Sequence, residues 1–566
     1  MFLSTTGSRA SRRKWALGGA AAAAAVTLLV SGCAPSGGSS SSASDTLIAY
    51  TGQAGDYQIN FNPYSPSQIG GIGTIYESLF FVTNVNTNDY KPLLGTEYTW
   101  NDEGTELAVD LRDDVTWSDG EPFTADDVIF TFELLLATPS INNSGFNGTI
   151  AAGDDGGVVL SFDAPAFVSG PALLGRTPIV PEHIWADIDP TTNVIEQPIG
   201  TGPFVLDDFK AQAFTLTANP DYWDGEPDLK AVRYLSLSGN TAGVDALAAG
   251  SIDWQTGPVP DIENVATNYP GYDSITVAQN QMALLTCSSA ELGCVGPQTD
   301  PAVRQAVYHA INRDQMNSLA FQNTASEISP TFVLTTAQAD LISSSVEEPI
   351  AANAPDAERA AGILEDAGWT LGSDGIYEKD GQKLRMTVEV VTGWTDYITA
   401  IDTMSQQLKA AGIDLQVAQS SWNEWTDKKG KGDYELAIDS LGQGAASDPY
   451  YLFDQFLNTA YTAPAGEVAP QNIARYSDPE VDAALAVLKS TSPDDLEARQ
   501  AQLDIIQAKL VEEMPYIPIL TGGTTSIFNS DKFTGWPTPD DLYAFPAIWA
   551  SPDNAEIFKS LTPTGE

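Results

Sequence analysis

The chain is predicted to be an α/β protein of two or more domains, one of them discontinuous, and three observations lead there. Its 566 residues exceed what a single hydrophobic core usually supports. Strand-and-turn patterns fill residues 46 to about 290, helical periods with a βαβ unit take over after 300, and strand-and-turn chemistry resumes near the C-terminus. The 43% apolar and 9% aromatic content is that of a globular chain.

At the N-terminus, "RASRRKW" is a basic region and "WALGGAAAAAAVTLLV" an apolar stretch, short and Gly/Ala-rich for a membrane span. It ends in "VSGC", which resembles a bacterial lipobox. Residues 1–32 are therefore expected to be a lipoprotein signal peptide, and Cys33 the lipidated new N-terminus. The alternative is a plain signal peptide with an incidental cysteine. Ser11-Arg12-Arg13 also resembles a twin-arginine export signal, so the export route stays open. The Gly/Ser-rich segment 33–45 reads as a flexible tether.

In the first region, "TELAVDLRDDVTWSDG" alternates Leu107, Val109 and Leu111, a half-buried strand that ends in a turn at Asp119-Gly120. "PFVLDDFKAQAFTLTANPDYW" reads as two strands around a short connection. Cys287 and Cys294 are the only cysteines besides Cys33, and in an oxidising compartment they are expected to pair. A zinc site is the rival reading, but the only histidines are His183 and His309, both distant in sequence.

The period changes at "TDPAVRQAVYHAINRD". Asp300 is an N-cap, Pro301 the first helical residue, and Val303, Ala306, Val307, Ala310 and Ile311 an apolar stripe. "LRMTVEVV", "YITAIDTMSQQLKAAG" and "IDLQVAQ" then make a strand, a helix stopped by Gly412, and a strand. Such units build parallel sheets that hold ligands beyond the carboxyl ends of their strands. "YELAIDSL" at 434–441 is another strand of that sheet, so the uncharged stretch "GQGAASDPYYLF" begins at a strand's carboxyl end. Ser492-Pro493 is expected to open a long helix with Leu496, Leu503, Ile506 and Leu510 inward.

A formal net charge of -49 argues against nucleic acid as a partner, because phosphate contacts need clustered Lys and Arg. The sequence holds no P-loop, no HExxH, no GxSxG and no kinase signature. Two histidines are too few for His-based triads or His-rich metal sites; His309 reads as structural and His183 as a surface helix start. No catalytic residue, metal site or cofactor is expected. A carboxylate-pair glycan hydrolase is the distant alternative.

Six stretches taken together resemble the extracellular solute-binding proteins of ABC importers, family 5. They are "LRDDVTWSDGEPFTADDVIFTFE" (111–133), "PIGTGPFVLDDF" (198–209), "NPDYWDGEP" (219–227), "DPAVRQAVYHAINRD" (300–314), "ILEDAGW" (363–369) and "EEMPYIPIL" (512–520). The resemblance implies a two-lobed periplasmic-binding-protein-like fold of class II type with an extra subdomain, its ligand cleft between lobes joined by a hinge. Lobe 1 would comprise 46–285 completed by 515–566, and lobe 2 would comprise 286–514. It also implies a monomer that reaches the membrane only through its lipid anchor, on the outer face of the cytoplasmic membrane. Ligand would pass to ABC permease subunits served by a separate ATPase.

The same resemblance bears on the ligand. Oligopeptide binders of the family usually carry an acidic residue four positions before the proline after the "YELAIDSL"-type strand. Here that position is Ala445, which cannot neutralise an ammonium. Asp448 sits beside the proline, and Tyr450 and Tyr451 follow it. Trp394, Trp422 and Trp425 follow strands of the second lobe, and Trp536 lies in a C-terminal segment resembling that of oligosaccharide-binding members. All eight are expected near the ligand. An oligopeptide and an oligosaccharide of cello- or manno- type are almost equally supported, the peptide marginally first.

Overall fold

The computed structural model describes residues 45–565, apart from 52–55, 66, 84, 86–89, 143, 154–155, 258 and 470 and the side chains of 240, 422 and 423. The expected signal peptide, Cys33 and the tether up to residue 44 lie outside the described residues. All the described residues fall within one compact unit, Ala43–Glu566.

A ten-stranded mixed sheet runs through the molecule. Its order is Asp414–Ser420, Arg385–Val391, Leu436–Leu441, Tyr272–Thr286, Tyr516–Asn529, Trp254–Thr256, Thr46–Tyr50, Ala231–Leu235, Ala213–Ala218 and Phe204–Lys210. The strands at 385–391, 414–420 and 436–441 pair in parallel, as the βαβ pattern requires. So do those at 46–50, 231–235 and 254–256. Between the two parallel sets lie the strands Tyr272–Thr286 and Tyr516–Asn529, antiparallel to each other along most of their length.

The register shows where both sets aim. Leu436 lies opposite Thr286 and Leu441 opposite Gln281, so this strand runs toward the middle of the long pair. Trp254 lies opposite Phe528 and Thr256 opposite Ser526, so the other set runs toward the same middle from the far end. There the ladder is irregular, with register shifts between Ala278 and Asn280 and between Met282 and Ala283. An extra residue on one strand bends it and sharpens its twist. Gly523 sits in this zone because a Cβ there would lie 2.3 Å from the Thr324 carbonyl oxygen.

The local signals explain most elements. The Asp300 side chain accepts from Ala302 N–H at 3.0 Å and caps the helix Pro301–Ala310, whose predicted stripe is buried. Thr395–Ala410 ends before Gly412, which holds φ +82°. The long helix starts later than Ser492-Pro493 suggests, at Leu496–Glu513, because Asp495 accepts from Ala498 N–H at 3.1 Å and Ser492–Asp494 becomes a turn. A disulfide joins Cys287 to Cys294, with Cα atoms 5.5 Å apart.

Buried side chains gather into two large clusters. One draws on residues between Met282 and Leu520, the other on residues between Leu47 and Val277 together with Phe528–Leu561. A smaller cluster forms around Tyr50, Leu247 and Ile527. A separate four-stranded sheet, Gly95–Trp100, Glu106–Leu111, Val158–Ser161 and Thr149–Ala152, packs into the second large cluster. Among the described residues no helix is long and apolar enough to cross a membrane.

Candidate ligand-binding site

A cavity of about 350 Å³ opens where both strand sets point. Its floor is the irregular middle of the long pair, with Asn280 and Met282 on one strand and Gly522 to Thr525 on the other. Thr256 and Gly257 enter at the end of one parallel strand, and Asp396 and Tyr397 from the first turn of the Thr395–Ala410 helix. Phe321, Gln322 and Trp549 complete the walls. Burial pushes the Tyr397 phenol well above its usual range, so it stays protonated and can both donate and accept.

Trp549 also lines a second cavity of about 410 Å³, with Tyr57, Gln68, Phe214, Tyr234 and Asn554. The indole is 53% exposed and meets Phe545 edge-on at 5.7 Å, so a broad ring surface is presented between the two cavities. The Tyr234 hydroxyl and the Asn554 side-chain carbonyl are buried without a hydrogen-bond partner among the described residues. Buried polar atoms left this way are costly, which marks the cavity as one that takes a polar guest or water. Among the described residues that line the two cavities, only Asp396 carries a charge.

The residues singled out from the sequence fall into three groups. Trp394 is half-buried and meets Tyr397 edge-on at 5.4 Å, directly behind the first cavity. Trp425 packs against Trp394 at 5.2 Å, is 1% exposed, and has the Lys429 ammonium 3.9 Å from its ring centre. Trp422 is the first residue of the helix Trp422–Lys431. A second group surrounds the uncharged stretch. Gly444 holds φ +83°, and half-buried Ala445 follows it. Asp448 caps the helix Pro449–Leu457, accepting from Tyr450 N–H at 2.8 Å, and forms an ion pair with Arg499. Tyr450 is buried, whereas Tyr451 donates to the Val168 carbonyl at 2.9 Å. Asp448 and Tyr451 line a different cavity, of about 680 Å³, that shares no described lining residue with the first two.

Trp536 stands apart. It is 9% exposed, stacks on Phe528 at 4.6 Å, meets Trp254 edge-on at 5.2 Å and donates its indole N–H to the Phe533 carbonyl. Its faces are taken up by the core cluster. Among the described residues, the tryptophan that lines the first two cavities is Trp549, thirteen positions further along the same segment.

The other predicted candidates have ordinary surroundings. His309 is half-buried and its imidazole is pushed down to about 4, chiefly by burial. His183 lies on the short helix Glu182–Trp185, with Nε2 2.9 Å from Asp119. Among the described residues no cluster of His, Cys, Asp and Glu has metal-binding geometry.

Comparison with known proteins adds the family. The model of bacterial extracellular solute-binding proteins, family 5, matches residues 89–463. The chain belongs to that family. Its members are extracytoplasmic binding proteins of ABC transporters, not enzymes. This family-5 chain is 29% identical to Protein XP55 of Streptomyces lividans over 426 residues, 73% of each. It superposes with TM-score 0.82 and 23% identity on a periplasmic oligopeptide-binding protein of an ABC transporter from Thermotoga maritima, covering 92% of this chain and 100% of that one. A mannohexaose-bound structure of that protein matches with TM-score 0.74 and 22% identity, covering 93% and 99%. The fold is that of the periplasmic binding proteins.

Proposed function

We propose that this chain is a lipid-anchored solute-binding protein that encloses a neutral oligosaccharide and delivers it to an ABC permease energised by a separate ATPase. It acts as a monomer and carries out no reaction of its own. The anchor is Cys33, argued from the lipobox-like "VSGC", and places the protein on the outer face of the cytoplasmic membrane. The ligand lies between two lobes, 46–285 with 515–566 and 286–514. The separate core clusters on either side of the bulged long strands support that division, and those strands serve as the hinge.

One observation carries the ligand class. In a chain whose net charge is -49, the two cavities that meet at Trp549 have a single charged residue among their described lining residues, Asp396. A short peptide enclosed there brings an ammonium and a carboxylate, and the carboxylate finds no cation among the described lining residues. Burying an unpaired charge costs several kcal/mol, about the free energy of a whole weak complex. A sugar brings hydroxyls for Thr, Gln, Asn and Tyr side chains and C–H faces for Trp549. The mannohexaose bound by the Thermotoga maritima protein is compatible with this reading. The second reading is an oligopeptide, favoured by Asp396, which can pair with an α-ammonium.

A thermal-shift screen separates the two. Mannohexaose or a cello-oligosaccharide is expected to raise the melting temperature by mass action, while tri- to pentapeptides leave it unchanged. Stabilisation by peptides alone would reverse the assignment, and release of shorter sugars during incubation would contradict a transport role.

A further inference from the structure

A further cavity, of about 400 Å³, lies wholly within the proposed second lobe. Its described lining residues fall between Gln305 and Met514, and none of them lines the Trp549 cavities or the cavity beside Asp448. The helices Pro301–Ala310 and Leu496–Glu513 supply opposite ends of that range, and Arg359 comes from the helix Ala357–Asp366. Tyr308 lines the cavity although it is only 3% exposed, and its hydroxyl has no hydrogen-bond partner among the described residues. Burial first holds that phenol above its usual range, and the charges of Glu348 and Arg359, both on the cavity wall, also act on it. A buried hydroxyl left without a bond is costly, so the position suits a guest that supplies one.

The rest of the polar wall is rich in acceptors. Glu347 and Glu512 are exposed and make no ion pair among the described residues. Glu348 is held by Arg359 at 2.8 Å, and Arg359 is the only Lys or Arg among the described lining residues. Burial, and then the Arg359 charge, push the His309 imidazole down to about 4, so at neutral pH it is uncharged and one ring nitrogen can accept. Pro330, Val346 and Met514 are buried and add apolar surface.

We propose that this cavity is a second ligand site and that it takes an aliphatic amine, its ammonium donating to the Tyr308 hydroxyl and its methylene stem lying against the apolar wall. An ammonium has three donors and no acceptor, which matches a wall of acceptors and supplies the bond the hydroxyl lacks. The two uncompensated carboxylates draw a cation toward the cavity. A carboxylate guest would meet Glu347 and Glu512 as like charges, and its one attractive partner, Arg359, is already engaged by Glu348. A neutral alcohol can bond to the hydroxyl but gains nothing from the carboxylates. The site stands on its own lining and does not depend on which ligand the Trp549 cavities hold.

Calorimetric titration of the whole protein with n-pentylamine and with cadaverine tests this, using pentan-1-ol as the neutral counterpart of pentylamine. Saturable binding of at least one amine at millimolar concentrations or below is expected, with no binding of the alcohol. Tyr308→Phe should weaken the amine by about tenfold. It should not lower the melting temperature, because the hydroxyl has no bond within the described protein to lose. Glu512→Gln, at an exposed position, should weaken the amine by about threefold. Thermal unfolding of both variants checks that they remain folded. Failure of both amines to bind, equal binding of the alcohol, or binding unchanged in both variants would overturn the proposal.

Discussion

The Tyr451 hydroxyl donates to the Val168 carbonyl at 2.9 Å, joining segments 283 residues apart in sequence. Tyr451 and Val168 both pack against the Met282–Leu520 cluster, and Val168 follows Phe167, whose ring meets Trp100 beside the four-stranded sheet. If closure brings the two proposed lobes together, this bond is made only in the closed form. Tyr451→Phe should then lower ligand affinity by about three- to tenfold, since one such bond contributes about 0.5–1.5 kcal/mol. The melting temperature without ligand should barely move. Titration of wild type and variant side by side reads the difference.

Gly444 makes that tyrosine's position possible. At φ +83°, a Cβ on residue 444 would lie 2.4 Å from the Tyr451 Cβ. Gly444→Ala is expected to destabilise the protein by about 2 kcal/mol and to weaken ligand binding as well, because the helix start must shift. Gly442→Ala, which meets nothing within 4 Å and has no left-handed φ, should do neither. Urea unfolding of the two variants makes the comparison.

Arg499 and Asp448 form a pair whose side chains are 5% and 13% exposed. Breaking a buried pair by removing one partner strands the other charge. Arg499→Met should therefore cost about 3 kcal/mol, more than the helix cap alone explains. Asp448→Asn keeps a capping oxygen but leaves the guanidinium unpaired, and a similar loss is expected. The double variant should be less than additive in a denaturation-based cycle.

His309 gives the protein an acid sensitivity of definite sign. Its folded pKa, about 4, lies below the ordinary value of 6.5, so the unfolded chain binds the proton more readily between those limits. Stability from the neutral imidazole is complete above about 6.5 and is lost as pH falls toward 4. His309→Gln should flatten the melting-temperature profile between pH 6.5 and 4 relative to wild type. Carboxylates titrate in both proteins and cancel in the comparison.

Much of this architecture is legible in local chemistry. The Asp300-Pro301 start, the alternation of "LRMTVEVV" and the stop at Gly412 depend on neighbours a few residues away, and all appear as expected. The long helix begins at Leu496 because a competing cap, Asp495, lies one turn on from the expected start. Trp536 and Trp549 show the harder limit. Both lie in one aromatic, Pro-rich segment, and which indole is covered depends on Phe528 and Trp254, residues that only the folded sheet brings near. The proposed hinge is equally hidden, because Tyr272–Thr286 and Tyr516–Asn529 read as ordinary strands until their register and bulges are known.

Calorimetric titration of wild type and Trp549→Ala with mannohexaose, a cello-oligosaccharide and a pentapeptide decides what the Trp549 cavities hold. Saturable binding of an oligosaccharide is expected, with none of the peptide and a loss of about tenfold or more in the variant from the missing ring face. Tight peptide binding with no sugar binding, or sugar binding indifferent to Trp549, would contradict it.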